Sequence, residues 1–209
     1  MSKRLSKVKI EWSSNFAYAI GLIASDGNLS RDGRHIIMTS KDEEMVLNFK
    51  KCLNLNNKIG KFARGGSKDK KYFKVQFGDK NFHEFLITLG ITPAKSRTIG
   101  PLKINKKYFS DFFRGLFDGD GNINIFWHPE SRHPQLRIRF FSASDKFINW
   151  IKQTLNSILD TKGFDMFHSR EFELAYAKAD SIKLVKFFYY KNFETCLTRK
   201  YIKSKPFLV

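Results

Sequence analysis

A nine-residue pattern occurs twice in this chain, within YAIGLIASDGN (positions 18–28) and FFRGLFDGDGN (positions 112–122). The two copies are offset by 94 residues, and each places a glycine inside a helical pattern and an Asp-Gly pair at its end. The segments downstream also correspond, because SKDEEMVLNFKKCL in the first half matches SASDKFINWIKQTL in the second. A repeat of this length predicts a duplicated architecture.

The periodicity of apolar residues predicts an α+β fold made of tandem αββαββα repeats. Helices are expected near 14–26, 42–54, 79–89, 109–120, 144–159 and 180–190. Strands are expected near 34–39, 58–64, 71–78, 122–127, 135–142, 164–169 and 171–177. The predicted repeats are 1–92 and 108–209, and residues 93–107, with Pro93, Gly100 and Pro101, form the predicted connection.

The composition indicates a polyanionic partner. Lysine and arginine number 38 against 20 acidic residues, which gives a net charge of +18. Folding does not require such an excess, and self-repulsion opposes it. The sequence has no long apolar run and no apolar core of a signal peptide, so we expect an intracellular protein without a membrane partner, in a prokaryotic cytoplasm or an organelle matrix.

Two predicted strands alternate between apolar and long polar side chains. In QLRIRFF, Gln135, Arg137 and Arg139 alternate with apolar residues, and in YFKVQF the alternating polar residues are Tyr72, Lys74 and Gln76. A solvated sheet face would show the same pattern. Together with the net charge, the repetition of the pattern in both halves favours nucleic acid, because such side chains can reach base edges in the major groove.

Each motif ends in a carboxylate where a helix would carry partial negative charge. Gly21 and Gly115 are unfavourable inside helices by roughly 1 kcal/mol each relative to alanine, which close approach of the two helices would offset. Asp26 and Asp120 would then emerge at adjacent helix ends, where divalent cations would relieve their repulsion. Oxygen ligands favour a hard ion such as Mg²⁺. An Mg²⁺ ion flanked by carboxylates can promote phosphodiester hydrolysis.

At these residues the sequence resembles the LAGLIDADG homing endonucleases. The first copy, AIGLIASDG, keeps five of the nine family letters, and the second, FRGLFDGDG, also keeps five. The resemblance implies a single-chain pseudo-dimer with two saddle-shaped antiparallel sheets on the DNA major groove and the motif helices packed at the pseudo-two-fold interface. It also implies metal binding by Asp26 and Asp120 and cleavage that leaves 3′ overhangs at a long asymmetric target.

The family also places a lysine near the end of each half, to organise water or stabilise phosphate charge. The matching positions are Lys95 and Lys200, with Arg199 an open alternative to Lys200, although surface lysines without a special role would look the same. The expected cofactor is Mg²⁺, with Ca²⁺ or Mn²⁺ as substitutes, and the expected partner of the monomer is double-stranded DNA. The predicted DNA contacts are Arg31, Arg34, Arg64, Tyr72, Lys74, Gln76, Asn124, Gln135, Arg137, Arg139, His168 and Arg170.

Two other functions fit the same sequence. One is a group I intron maturase, which would bind intron RNA with the basic surface and would not need the aspartates. The other is a non-catalytic DNA-binding regulator, which the presence of an aspartate at both motif ends disfavours.

Overall fold

The structure is a computed structural model that describes residues 6–63 and 68–208. The elements of the first repeat are α1 (Ser14–Ser25), β1 (Gly27–Leu29), β2 (His35–Ser40), α2 (Glu43–Cys52), β3 (Gly60–Phe62), β4 (Tyr72–Gly78) and α3 (Lys80–Leu89). Those of the second are α4 (Phe109–Asp120), β5 (Gly121–Phe126), β6 (Gln135–Ser142), α5 (Asp145–Leu159), β7 (Phe164–His168), β8 (Glu171–Tyr176), α6 (Lys178–Phe188) and α7 (Thr198–Ser204). No helix in the described ranges is long and apolar enough to cross a membrane.

The strands form two four-stranded antiparallel sheets, which confirms the predicted fold class. The N-sheet has the order β1-β2-β4-β3, and the C-sheet has the matching order β5-β6-β8-β7. In each repeat the first strand begins at the residue that follows the motif aspartate. The duplication inferred from the sequence is therefore a duplication of sheet topology.

By its internal contacts the chain divides into two compact units. The first comprises Met1–Lys95 and Leu102–Gly119, and the second comprises Ser96–Pro101 and Asp120–Val209. Helix α4 opens the second repeat in sequence, yet all of it except its last residue belongs to the first unit. The reason is that α4 packs along α1.

The first unit is built around α1, whose residues from Phe16 to Ala24 are all buried. The side chain of Ser13 caps the helix by accepting a 3.1 Å hydrogen bond from the backbone N–H of Phe16. Helix α2 packs on α1, β2 and β4. Val75 and Phe77 of β4 point into this core, whereas Gln76 between them is exposed, as the alternation predicted.

In the second unit, α5 packs on β6 and β8, and α6 packs on the same two strands. Leu136, Ile138 and Phe140 of β6 are buried beneath these helices. The hydroxyl of Ser181 on α6 accepts a hydrogen bond from the backbone N–H of Ile138 at 3.0 Å and so ties the helix to the sheet.

Three elements differ from the predicted ones. Strand β1 was not predicted, because three residues are too few to show an alternation. Strand β3 covers Gly60–Phe62, a shorter range than the predicted 58–64, of which position 64 lies outside the described residues. Helix α7 was also missed, because its sequence TRKYIKS has only two nonpolar side chains.

Candidate active site and sheet surfaces

The motif helices α1 and α4 touch through their glycines. A Cβ atom added to Gly21 would collide with the carbonyl oxygen of Phe112 and lie 2.7 Å from the backbone nitrogen of Leu116. A Cβ added to Gly115 would collide with the carbonyl oxygen of Tyr18 and lie 3.2 Å from Cα of Gly21. The two backbones are therefore in direct contact, and this approach requires glycine at both positions.

Polar side chains are also buried between these helices. The Tyr18 hydroxyl donates a 2.8 Å hydrogen bond to Oδ2 of Asp118. The guanidinium of Arg114, which is fully buried, donates to Asp111 at 2.7 Å and lies 5.6 Å from the centroid of the Tyr18 ring. Burial, followed by the charge of Asp118, raises the pKa of Tyr18 well above its usual value. The phenol therefore remains a donor at neutral pH.

The two motif aspartates are exposed at the carboxyl ends of their helices. Asp26 is the C-cap of α1, and its backbone N–H donates to the Leu22 carbonyl at 3.0 Å. Asp120 is the last residue of α4. A Cβ added to Gly119, the residue before Asp120, would collide with the Ser25 hydroxyl and lie 2.9 Å from Oδ2 of Asp26. The glycine at position 119 thus allows the side chains of Ser25 and Asp26 to pack directly against the backbone of α4.

A buried lysine contacts the backbone directly after each of these aspartates. Nζ of Lys95 donates to the carbonyl of Gly27 at 2.6 Å and to that of Ser25 at 3.0 Å. Nζ of Lys200 donates to the carbonyl of Gly121, also at 2.6 Å. Relative exposure is 8% for Lys95 and 3% for Lys200, so both are far more buried than surface lysines.

The second basic position had two candidates in the sequence. Lys200 is buried and contacts the carbonyl next to Asp120, whereas the neighbouring Arg199 is exposed. Within each unit, then, the ammonium group is fixed by the carbonyl oxygen of the residue that follows the motif aspartate.

The oxygen atoms at the motif ends suit a hard divalent cation. Carboxylate and carbonyl oxygens are the ligands that Mg²⁺ and Ca²⁺ take in proteins. Within the described residues there is no cluster of three or more histidine, cysteine or acidic side chains that could hold a metal. A cation at either motif end would take its ligands from the aspartate of that motif, from backbone oxygens and from water.

The N-sheet presents three of the predicted DNA contacts. Gln76 is exposed and pairs in register with Ile37, while Lys74 is half-buried and pairs with Thr39. Tyr72 is the first residue of β4, and its ring centroid is 5.5 Å from that of Phe62. These side chains share the sheet face opposite Val75 and Phe77.

The corresponding face of the C-sheet carries Arg137 and Arg139, both half-buried. The Arg139 guanidinium donates to Oδ1 of Asn122 at 3.1 Å, and its Nη1 lies 3.7 Å from Oε1 of Glu173. Glu173 is only 6% exposed, and its other oxygen is 3.1 Å from Nε2 of His168. Glu173 was not predicted as part of this surface, although its alternation with Phe172 and Leu174 indicated this face.

The remaining predicted contacts lie in loops or along the same faces. Asn124 is exposed on β5, opposite Arg137, and Gln135 donates to the Ser131 hydroxyl at 2.7 Å. Arg31, Arg34 and Arg170 are exposed in turns. Arg34 lies 3.2 Å from Nε2 of His35, whose other ring nitrogen contacts Asp32. Arg64 lies outside the described residues.

Comparisons with known proteins identify the fold. No protein-family model matches the chain, and no curated protein matches it in sequence. Among solved structures, the full-length DUF199/WhiA protein from Thermatoga maritima aligns with 99% of this chain at 14% identity and a TM-score of 0.59. This chain spans 66% of that protein.

Two nucleases solved with DNA also match. I-DmoI in complex with DNA and Ca aligns over 89% of this chain and 94% of its own, at 16% identity and a TM-score of 0.58. The LAGLIDADG homing endonuclease I-LtrWI, bound to target DNA, aligns over 93% of this chain and 88% of its own, at 12% identity and a TM-score of 0.57. The chain therefore has the fold of the single-chain LAGLIDADG homing endonucleases, as its two motifs predicted.

Proposed function

We propose that this protein is a site-specific endonuclease that hydrolyses both strands of a long, asymmetric DNA target with Mg²⁺ and leaves 3′ overhangs. We propose further that it acts as a monomer and promotes the homing of an intron. One observation carries the proposal. In each repeat a buried lysine donates a 2.6 Å hydrogen bond to the carbonyl of the glycine that follows the motif aspartate.

Asp26 and Asp120 would hold the divalent cations. Both side chains are exposed to solvent at the carboxyl ends of their helices. A bound Mg²⁺ would supply Lewis-acid stabilisation of the phosphoryl oxygens and a more acidic water. The structures of I-DmoI with its target DNA in the presence of Mn, and with DNA and Ca, support the use of divalent metal.

Lys95 and Lys200 would act on the same phosphodiesters. An ammonium group fixed by carbonyl oxygens can orient a water molecule or stabilise the negative charge that develops on phosphate. One aspartate and one lysine in each repeat suit two cleavage events, one for each strand. The rigid attachment of both lysines to the backbone supports a role that needs defined geometry.

The open faces of the sheets would contact the DNA. They carry the arginine, lysine and glutamine side chains described above, in a chain of net charge +18. Such side chains hydrogen-bond to base edges in the major groove. I-LtrWI, which shares the fold, was solved bound to target DNA, and this supports DNA as the partner of this chain.

The test is selection of cleaved duplexes from a randomised DNA library, followed by cleavage of the selected target with Mg²⁺ and with EDTA. The expected result is one long asymmetric sequence, cut on both strands only with Mg²⁺. The variant Asp26→Asn/Asp120→Asn should bind this target without cutting it. The matched variant Asp69→Asn/Asp145→Asn removes two other exposed carboxylates and should cut normally.

Failure to select any sequence would overturn the proposal, as would normal cleavage by Asp26→Asn/Asp120→Asn. If that variant instead binds intron RNA and supports splicing as well as the parent, the protein is a maturase. Specific binding of duplex DNA without cleavage by the parent protein would indicate a regulator.

A further inference from the structure

The open face of the C-sheet carries exposed apolar side chains among its arginines. Phe164 and Met166 of edge strand β7 are 40% and 41% exposed. Phe164 pairs in register with Ala175, which pairs with Arg139. Residues directly opposite each other in antiparallel strands share a face, so the apolar and arginine side chains lie on one surface.

The rings on this face also contact an arginine. The guanidinium carbon of Arg137 lies 5.3 Å from the centroid of Phe126 and 5.9 Å from that of Phe164. A cation over a ring is attracted to it and held in place. The surface is therefore a mixture of fixed cations and accessible apolar groups.

The N-sheet differs in this respect. No large hydrophobic side chain of the described part of its strands is exposed to the degree of Phe164 and Met166. Its face carries Gln76, which is exposed, and the rings of Phe62 and Tyr72, which are half-buried, with Nζ of Lys74 5.9 Å from the Phe62 centroid. The apolar side chains of the C-sheet face are therefore the more accessible of the two sets.

The major groove of DNA offers one apolar group, the C5-methyl of thymine, among hydrogen-bond donors and acceptors. An exposed apolar side chain placed against a polar base edge would desolvate that edge without replacing its hydrogen bonds. An apolar side chain placed against a methyl group would be buried together with it, and this burial would raise affinity by about fourfold for each methyl.

We propose that Phe126, Phe164 and Met166 recognise thymine C5-methyl groups, so that only the half of the target under the C-sheet depends on them. This inference rests on the proposed function, because it requires the sheet to lie on duplex DNA. Arg137, held between two of these rings, would fix their position relative to the phosphates or the neighbouring bases.

The experiment replaces thymine by deoxyuridine in one half of the selected target at a time, which removes the methyl and keeps every hydrogen-bonding group. Affinity should fall about fourfold for each contacted methyl, and roughly tenfold or more in total, in one half only. The variant Phe126→Ala/Phe164→Ala/Met166→Ala should bind thymine and deoxyuridine targets equally in that half, and Phe164→Ala/Met166→Ala should lose most of the preference.

Phe167→Ala provides the matched control. Phe167 is on the same strand and is 61% exposed, but it packs on Phe172 on the opposite face. This variant should keep the preference for thymine. Equal binding of the thymine and deoxyuridine targets by the parent protein would overturn the inference and leave the endonuclease intact.

Absence of any selected duplex target would instead overturn the proposed function. If single-stranded RNA binds better than duplex DNA, and Phe164→Ala/Met166→Ala abolishes that binding, the face stacks on unpaired bases. That result would also overturn recognition of thymine methyl groups.

Discussion

The Tyr18 hydroxyl on α1 donates a 2.8 Å hydrogen bond to the carboxylate of Asp118 on α4, between helices whose backbones touch. Both residues are fully buried. A buried carboxylate is tolerated when hydrogen-bond donors satisfy it. Asp118 on α4 therefore depends on the hydroxyl of Tyr18 on α1. Ala24 occupies the position in the first motif that Asp118 occupies in the second.

Tyr18→Phe removes that donor and should lower the free energy of unfolding by about 1–3 kcal/mol, because the carboxylate stays buried. Urea denaturation measures the change. Adding Asp118→Asn should recover part of the loss, since a neutral amide is easier to bury than a carboxylate with a missing donor. Additive effects of the two substitutions would contradict direct coupling.

Gly115→Ala should be more damaging than an ordinary glycine substitution, because the new methyl group would collide with the Tyr18 carbonyl. We expect a loss of about 3 kcal/mol or more, since the clash is with backbone. Gly60→Ala is the matched control, because the nearest atom to its added Cβ is 4.0 Å away. Thermal melting of the two variants compares them, and equal stability would contradict the close helix contact.

The motif helices and both sheets could be predicted from the sequence for physical reasons. A glycine inside a helical pattern needs an explanation, and its recurrence in Gly21 and Gly115 pointed to helix contact. The alternation in β6 was long enough to identify its buried face. Both signals are local in the chain, so one sequence was sufficient to detect them.

Other features could not be read from the sequence. Glu173 lies on a strand in which a glutamate would ordinarily be solvated. It is buried because Arg139 on the adjacent strand and His168 on the edge strand cover it, and these contacts depend on register. Likewise, the choice of Lys200 over Arg199 depends on which side chain α7 directs towards Gly121.

Lys95→Met and Lys200→Met should each slow cleavage by about 100-fold with little change in affinity for the target, because a positioned donor acts mainly in the transition state. Each substitution should affect one strand more than the other, so that nicked DNA accumulates. Strand-resolved cleavage assays measure both effects. Lys103→Met, at an exposed lysine in the connection, should cut normally. Normal rates for both buried-lysine variants would contradict their assigned role.

Glu173→Gln should weaken discrimination between targets while leaving affinity for random duplex DNA equal or higher. The substitution removes a negative charge and loosens the support of Arg139, whose Nη1 is 3.7 Å from the carboxylate. We expect about a tenfold smaller ratio of specific to random binding, consistent with one misplaced base contact. Competition binding at fixed salt measures the ratio. An unchanged ratio would show that Arg139 does not read bases through this support.

Stability should fall above pH 10 in part because of Tyr176. Burial raises the pKa of this side chain well above its usual value. The unfolded chain therefore loses the proton near pH 10 while the folded protein keeps it, and folding becomes less favourable as pH rises. The contribution is about 1.4 kcal/mol for each pH unit above 10. Tyr176→Phe should reduce the slope of unfolding free energy against pH, and an identical slope would contradict the burial of an un-ionised phenol.

Strands β1 and β5 begin at Gly27 and Gly121, with no linker after the aspartates. Side chains at the start of these strands, such as Asn28 and Asn122, are two residues from Asp26 and Asp120. Redesign of specificity at these inner positions would disturb the acidic residues along with the sequence preference. Positions at the other end of the sheet, such as Gln135, are separated from the two aspartates. They can be changed to alter target preference without disturbing the acidic residues.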